Sequence, residues 1–185
     1  PDCAIIGGGP VGLIFAILCR TSIGNVQIFE SEEHKSKNQD NRALALSNGS
    51  RLILKEIGVW DRLEKKITKI KKIHTSQAGS FGRTMLDAEE FNEDSLGYII
   101  SYGDLMGALQ EEVECIRNVK ISYGTKVTKC IDEKSSLNLT LQTNNKTKKF
   151  KSEFVVLADG TTEGIEGLEL NKKIKHFNHA AIVTK

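Results

Sequence analysis

The sequence predicts an α/β fold in three layers, with a parallel sheet held between a layer of helices and a β-meander. Three observations carry this prediction. Helix–strand units begin the chain, short strands with tight turns follow its last long helix, and a continuous apolar strand comes next, at residues 154–158. Continuous apolar runs are typical of buried parallel strands, whereas short alternating strands indicate an antiparallel sheet. The 185 residues are enough to bury a core of this kind.

A glycine-rich turn joins the first predicted strand, residues 4–6, to the first predicted helix, residues 13–18. Gly7, Gly9 and Gly12 have the spacing Gly-x-Gly-x-x-Gly. In such a turn the first glycine permits the tight strand exit, and the second lets a pyrophosphate approach the backbone. The third lets helix and strand pack closely. The spacing therefore predicts a dinucleotide site, although a glycine turn without a ligand is the simpler alternative.

The residues around this turn favour the dinucleotide. Pro10 and Val11 would begin the helix, where the missing N–H of proline costs nothing and the free N–H groups face the phosphates. The second predicted strand, residues 26–29, ends in Glu30, eighteen residues after Gly12. A carboxylate there accepts hydrogen bonds from both ribose hydroxyls and repels a 2′-phosphate. We therefore expect a dinucleotide with an unmodified adenosine ribose, FAD or NAD.

The middle of the chain predicts helices and one hairpin. Residues 31–41 are polar and without periodicity, which indicates a loop. Residues 47–63 begin with a serine cap and predict an amphipathic helix pair. Residues 69–76 and 83–88 alternate like two strands of a hairpin. This hairpin lies outside the helix–strand pattern, and we expect it to belong to a different sheet, where it would pair with residues 176–184.

The second half predicts a long helix and then a meander. The apolar face of the helix begins after Asp104 and includes Leu105, Leu109 and Val113. The strands predicted for the meander are residues 119–123, 126–132, 137–142 and 148–151.

Composition excludes several classes of protein. The net charge is +2, the hydrophobic content is 39%, and no apolar run is long enough to span a membrane. We therefore expect a soluble protein without nucleic-acid partners, and a cytoplasmic one because no basic leader precedes the first strand. The four cysteines lack a CxxC pattern, so we expect core residues in a reducing compartment. His176 and His179 have no further ligands nearby in the sequence, and no metal site is expected.

A longer combination of motifs resembles a known family. It comprises the glycine turn with Ala16, then Glu30, residues 41–47 (NRALALS) and residues 54–60 (LKEIGVW). The chain is similar, over essentially its whole length, to the flavin-dependent aromatic hydroxylases of ubiquinone biosynthesis, relatives of p-hydroxybenzoate hydroxylase. The resemblance implies a Rossmann-like FAD-binding domain of the glutathione-reductase type, with part of a second β-sheet substrate domain.

The resemblance also implies a role for particular residues. The glycine turn would bind the FAD pyrophosphate and Glu30 the adenosine ribose. Arg42 would lie along the cofactor towards the flavin, although its position alone suggests an ordinary surface arginine. The backbone of Val127 would meet the adenine, and Asp159 and Gly160 would close the domain near the pyrophosphate. No catalytic residue is assigned.

Domain boundaries follow from the same resemblance. The FAD-binding domain would comprise residues 1–68 and 96–168, interrupted by a substrate-domain hairpin at 69–95. Residues 169–185 would start the substrate-domain sheet. Relatives are about twice as long, and their second cofactor motif, Gly-Asp followed by Ala and His, would lie beyond Lys185. We therefore expect a truncated chain that cannot hydroxylate a substrate alone.

The activity implied is hydroxylation of an aromatic ring, expected to be a polyprenylated phenol, through a flavin C4a-hydroperoxide. Its co-substrates would be dioxygen and NAD(P)H as the reductant. Peripheral membrane or multiprotein association would suit such a substrate. Two alternatives stay open: another FAD oxidoreductase of the same fold, and a non-catalytic dinucleotide-binding module.

Overall fold

The computed structural model describes residues 2–34, 40–77, 79, 81–144, 146–160, 164–169, 173, 175 and 177. The chain divides into two compact units. The first comprises Pro1–Lys37 and Leu109–Ile182, and the second comprises Asn38–Ala108 and Val183–Lys185.

The described chain contains four α-helices and twelve strands. In chain order the elements are β1 (Cys3–Ile6), α1 (Pro10–Leu18), β2 (Val26–Phe29), β3 (Ala43–Leu46), α2 (Asn48–Glu56), α3 (Trp60–Leu63), β4 (Thr68–Ile70), β5 (Lys72–Ser76), β6 (Arg83–Asp87), β7 (Gly97–Ser101), α4 (Tyr102–Glu114), β8 (Val119–Ser122), β9 (Lys126–Glu133), β10 (Ser136–Thr143), β11 (Lys146–Ser152) and β12 (Phe154–Leu157).

A four-stranded parallel sheet forms the centre of the first unit. Its strand order is β12-β1-β2-β8, and all neighbours run parallel. Ile5 lies opposite Val156 on one side and Ile28 on the other. The strands predicted at residues 4–6, 26–29 and 154–158 therefore share one sheet, as expected.

The two faces of β1 contact different layers. Helix α1 packs on the face of Ile5, because an added Cβ on Gly12 of α1 would lie 3.3 Å from the Ile5 Cγ2 atom. Ala4 and Ile6 point to the opposite face, where they join an apolar cluster with Leu139 and other residues of β9 and β10. The alternation along one strand thus separates helix from meander, and the predicted three-layer fold is confirmed.

The antiparallel meander comprises β9, β10 and β11. The sequence prediction was wrong about residues 119–123, since β8 pairs in parallel with β2 and belongs to the central sheet. Ile121 lies opposite Ile28. Parallel strands need a crossover connection between them, and α4, which directly precedes β8, supplies it.

Two small antiparallel sheets lie in the second unit. One has the order β3-β7-β4, and the other is the hairpin of β5 and β6, with Ile73 opposite Leu86. The single strand predicted for residues 69–76 is wrong in one respect: it divides at Lys71, and β4 pairs with β7 while β5 pairs with β6. Of residues 176–184, which we expect to join the hairpin, all except Phe177 lie outside the described residues.

The predicted helices form with small changes at their ends. The hydroxyl of Ser47 accepts a hydrogen bond from the Ser50 backbone N–H at 3.1 Å and caps α2, as expected. Helix α4 begins at Tyr102, two residues before Asp104, and has 13 residues. Within the described ranges, no helix has the length and apolar character needed to cross a membrane.

Cysteines occupy different environments. Cys3 and Cys130 are buried, as the sequence predicts, whereas Cys115 is exposed. The expectation of four core cysteines is therefore wrong for Cys115, whose position at the end of α4 leaves it at the surface.

Candidate functional site

The glycine turn between β1 and α1 is packed too tightly for side chains at two of its positions. Gly7 has φ of +108°, and a Cβ on it would lie 2.3 Å from the carbonyl oxygen of Ala158. A Cβ on Gly12 would lie 2.1 Å from the carbonyl oxygen of Gly7. These contacts fix the turn against the end of β12 and the first turn of α1 against the end of β1.

The start of α1 offers open space to a ligand. Gly9 is the N-cap, Pro10 occupies the first helical turn, and the side chain of Val11 is 70% exposed. No atom lies within 4 Å of a Cβ built on Gly9. Because the first N–H groups of a helix have no partner within the helix, this end can donate hydrogen bonds to an anion.

The carboxylate of Glu30 is held beside this turn by backbone donors. Its Oε2 atom accepts a hydrogen bond from the Gly8 N–H at 2.7 Å. Its Oε1 atom accepts one from the Glu32 N–H at 2.8 Å and one from the Ser31 hydroxyl at 3.3 Å. The side chain therefore projects from the end of β2 towards the glycine turn in a fixed orientation.

A cleft of about 180 Å³ joins several of the predicted residues. It is lined by Ile6, Gly7, Phe29, Glu30, Ser31, Thr125, Lys126, Val127, Asp159, Gly164 and Ile165. Pockets that enclose a whole drug-sized ligand are typically about 300 to 1,000 Å³. A cleft of this size suits one end of an extended ligand, and its lining combines apolar walls with one fixed carboxylate.

The end of β12 forms the opposite wall. Asp159 lines the cleft, and Gly160 follows with φ of +64°. The Ala158 N–H donates to the Ile6 carbonyl at 2.7 Å, which holds this segment beside the glycine turn. The glycine turn and the Asp159–Gly160 motif, which are about 150 residues apart in the sequence, therefore lie side by side.

Arg42 lies in the second unit, next to an acid that the sequence prediction missed. Its Nε and Nη2 atoms donate to both oxygens of Asp40, at 2.7 to 3.0 Å. The guanidinium also lies 4.9 Å from the ring centroid of Tyr102. The hydrogen bonds that Arg42 donates to Asp40, and the negative charge of that carboxylate, raise the pKa of Arg42. The expected approach of Arg42 to a cofactor stays a prediction.

Sequence reasoning missed several residues of the cleft. Thr125 and Lys126 immediately precede Val127, and their proximity to this residue in the sequence could have suggested them. Ile165 carries no such signal. It reaches the cleft because the next residue, Glu166, accepts a hydrogen bond from the Cys130 N–H at 2.8 Å. That contact depends on the meander being folded.

The arrangement fits the adenosine diphosphate end of FAD. The open N-cap at Gly9 suits phosphate, and the Glu30 carboxylate suits a ribose diol. Val127 is nearly buried and lines the same cleft, where its backbone and the apolar walls suit a flat ring. The fold and this site define the class of protein, a domain that binds a dinucleotide at the carboxyl end of a parallel sheet.

Comparison with known proteins gives the family. Residues 2–173 match the family model described as FAD binding domain. The chain therefore belongs to this family of FAD-binding domains, and the resemblance seen in the sequence is confirmed.

Curated relatives and solved structures agree with this assignment. The mitochondrial ubiquinone biosynthesis monooxygenase COQ6 of Caenorhabditis elegans is 24% identical over 198 residues, which cover 99% of this chain and 41% of that protein. The ubiquinone hydroxylase UbiM of Neisseria meningitidis is 29% identical over 134 residues, 68% of this chain and 29% of that protein. The crystal structure of p-nitrophenol 4-monooxygenase PnpA from Pseudomonas putida superposes with a TM-score of 0.72 at 19% identity, covering 89% of this chain and 41% of that chain. The chain thus spans less than half the length of these proteins.

Proposed function

We propose that this chain supplies the FAD-binding domain of a monooxygenase that hydroxylates an aromatic ring. The observation that carries the proposal is the Glu30 carboxylate, fixed at 2.7 Å from the Gly8 nitrogen in a cleft that Val127 also lines. The curated relatives support the reaction class, because one is named a monooxygenase and another a hydroxylase.

In this proposal each element of the site has one binding task. The N–H groups of Val11 and Gly12 donate to the pyrophosphate, which approaches over Gly9. Glu30 accepts hydrogen bonds from the ribose hydroxyls, and the backbone of Val127 meets the adenine. Asp159 and Gly160 close the site near the pyrophosphate, and Arg42 faces the flavin end as a fixed cation. Bound FAD would supply the redox chemistry that activates dioxygen.

The proposed substrate is a polyprenylated phenol, since both relatives act in ubiquinone metabolism by name. The proposed electron donor is NAD(P)H. We propose a cytoplasmic protein with peripheral association to a membrane or a multiprotein complex, because a polyprenyl chain partitions into lipid.

The test begins with the cofactor. FAD is titrated into the purified chain, and binding is followed by the change in flavin absorbance and fluorescence. We expect saturable binding that ADP displaces. AMP should displace FAD better than adenosine 2′,5′-bisphosphate does, because Glu30 repels a 2′-phosphate. Absence of saturable FAD binding would contradict the proposal.

Oxygen uptake then tests the reaction class. It is measured with NADH or NADPH and a prenylated phenol, in this chain and in a polypeptide extended to the length of the relatives. In the extended polypeptide, hydroxylated product should form in proportion to the oxygen consumed, whereas this chain alone should form none. Flavin-dependent uptake by the extended polypeptide that yields only hydrogen peroxide with every phenol tried would contradict a hydroxylase.

A further inference from the structure

The turn between β8 and β9 is tied to the segment that follows β2. The Glu30 N–H donates to the Ser122 carbonyl at 2.9 Å, and the Thr125 N–H donates to the Glu30 carbonyl at 2.8 Å. The Gly124 N–H donates to the Glu32 carbonyl at 3.0 Å. Backbone hydrogen bonds thus continue past the ends of β2 and β8 and include Glu30, the residue expected to bind the ribose.

One residue, Glu32, links this turn to the carboxylate itself through its backbone C=O and N–H groups. The Glu32 carbonyl accepts from Gly124, and the Glu32 N–H donates to the Oε1 atom of Glu30 at 2.8 Å. The other oxygen of Glu30 is held by Gly8. The orientation of the carboxylate therefore depends on where Gly124 holds Glu32.

Gly124 has a left-handed backbone conformation, which residues with a side chain adopt only with strain. Its φ is +59°, and a Cβ on it would lie 2.5 Å from the Oε1 atom of Glu33 and 2.9 Å from its Cδ atom. The neighbours on each side are also in contact, since the His34 and Tyr123 rings meet edge to face with centroids 4.8 Å apart. A side chain at position 124 would therefore need a strained backbone and a movement of the Glu33 carboxylate, next to the Glu32 carbonyl that Gly124 holds.

We propose that Gly124 is a positioning residue for the ribose-binding carboxylate of Glu30 and acts through residues 32 and 33. The inference rests on the proposed function, in which Glu30 binds the ribose. According to this inference, the preference for a ribose with both hydroxyls depends on the β8–β9 turn as well as on Glu30.

The experiment compares ADP with 2′-deoxy-ADP, measured by calorimetry on the whole chain. Wild type should prefer ADP by about tenfold, the value of one charge-assisted hydrogen bond. Gly124→Ala should lose most of this preference through weaker ADP binding, while its affinity for 2′-deoxy-ADP changes little. A general loss of stability would weaken the binding of both nucleotides alike. The ratio of the two affinities therefore distinguishes a positioning role from an effect on folding.

Three variants isolate the route. Gly124→Ala combined with Glu33→Ala removes the carboxylate that the new Cβ would strike, and should restore the preference. Gly58→Ala is the matched control, because Gly58 has φ of +77° with no atom within 4 Å of a Cβ. It should keep the wild-type ratio. Gly124→Asn tolerates the left-handed backbone better and should lose the preference even if Gly124→Ala fails to fold.

The outcomes are distinct. Loss of preference in the position-124 variants and its recovery in the double variant support the proposal. A folded Gly124→Asn with the wild-type ratio, or a double variant as unselective as Gly124→Ala, overturns it. If wild type binds ADP and 2′-deoxy-ADP equally, the ribose role of Glu30 is wrong and this inference falls with it. If wild type is selective, the role of Glu30 stands whatever the variants show.

Discussion

The Oε2 atom of Glu30 accepts a hydrogen bond at 2.7 Å from the backbone N–H of Gly8, across 22 residues of sequence. This bond joins the end of β2 to the glycine turn after β1, two features that the sequence presents only as a spacing. Because the carboxylate is oriented before a ribose arrives, little side-chain entropy remains to be lost on binding.

Glu30→Ala should weaken FAD and ADP binding by about ten- to a hundredfold, since a hydrogen bond to a charged group contributes about 1.5 to 3 kcal/mol. Calorimetric titration of ADP measures the loss. Glu30→Gln is the matched variant: it keeps the size of the side chain but loses the charge, and we expect an intermediate affinity. Unchanged affinity in a folded Glu30→Ala would contradict the ribose role.

Alanine at two of the glycines should separate folding from binding. Gly12→Ala would force a Cβ to 2.1 Å from the Gly7 carbonyl oxygen, and should lower the free energy of unfolding by about 1 to 3 kcal/mol. Gly9→Ala meets open space and should cost less than about 1 kcal/mol as an N-cap change. It should nevertheless weaken ADP binding, because its methyl group would stand where we propose that the pyrophosphate approaches.

Urea denaturation and ADP titration of both variants test this contrast. Wild-type stability in Gly12→Ala would show that the turn can relax. Wild-type ADP affinity in a stable Gly9→Ala would place the phosphates elsewhere.

Local signals were sufficient for the parts of the fold that depend on neighbours in sequence. The β1–α1–β2 unit, the cap at Ser47 and the β9–β11 meander each follow from spacing, capping or alternation within about 20 residues. The sequence contains no local signal for which of two distant strands will pair with each other. Ala43–Leu46 was not predicted as a strand, because its partner, Gly97–Ser101, lies about 50 residues away. Nor does the sequence show that the strand partner changes at Lys71.

The candidate site divides in the same way. Gly7 and Glu30 were found from sequence because the chemistry of a phosphate turn and a ribose acid imposes a spacing. Val127 and Asp159 were assigned by family resemblance, and they line the same cleft. Ile165 and the Gly124 contact could not be predicted, since both arise from packing between segments far apart in the chain.

Stability should fall above pH 9 because of Cys3. Burial, with the nearby charges of Cys19 and Asp2, raises the pKa of this thiol from 9.0 to about 11. The unfolded chain releases the proton at the lower value and the folded chain retains it, so the stabilisation is complete below pH 9. It is lost as the pH rises from 9 to 11, by up to about 2 to 3 kcal/mol.

Urea denaturation of wild type and Cys3→Ala between pH 7.5 and 11 measures this effect. Cys3→Ala should be less stable at neutral pH, but the difference should shrink above pH 9. Other titrating groups are shared by both proteins, so the difference isolates Cys3. A constant difference across the range would be inconsistent with the shifted thiol.

The rings of Phe29 and Phe150 meet edge to face, with centroids 4.9 Å apart and planes at 85°. One belongs to β2 of the parallel sheet and the other to β11 of the meander, so the pair joins two layers of the first unit. Edge-to-face pairs contribute about 0.5 to 1.5 kcal/mol beyond the area that they bury. Phe29→Leu and Phe150→Leu should therefore each lower the free energy of unfolding. In the double variant, the decrease should be smaller than the sum of the two single decreases by about 0.5 to 1.5 kcal/mol, because the ring contact can be lost only once.

The matched control combines Phe29→Leu with Lys151→Ala. Lys151 is exposed and follows Phe150 on β11. These two changes should be additive within about 0.5 kcal/mol. Binding provides a second contrast, because Phe29 lines the cleft and Phe150 does not belong to its lining. Phe29→Leu should weaken ADP binding, whereas Phe150→Leu should change stability with little effect on affinity. Additivity of the two phenylalanine changes would show that the meander packs on the sheet without this contact contributing.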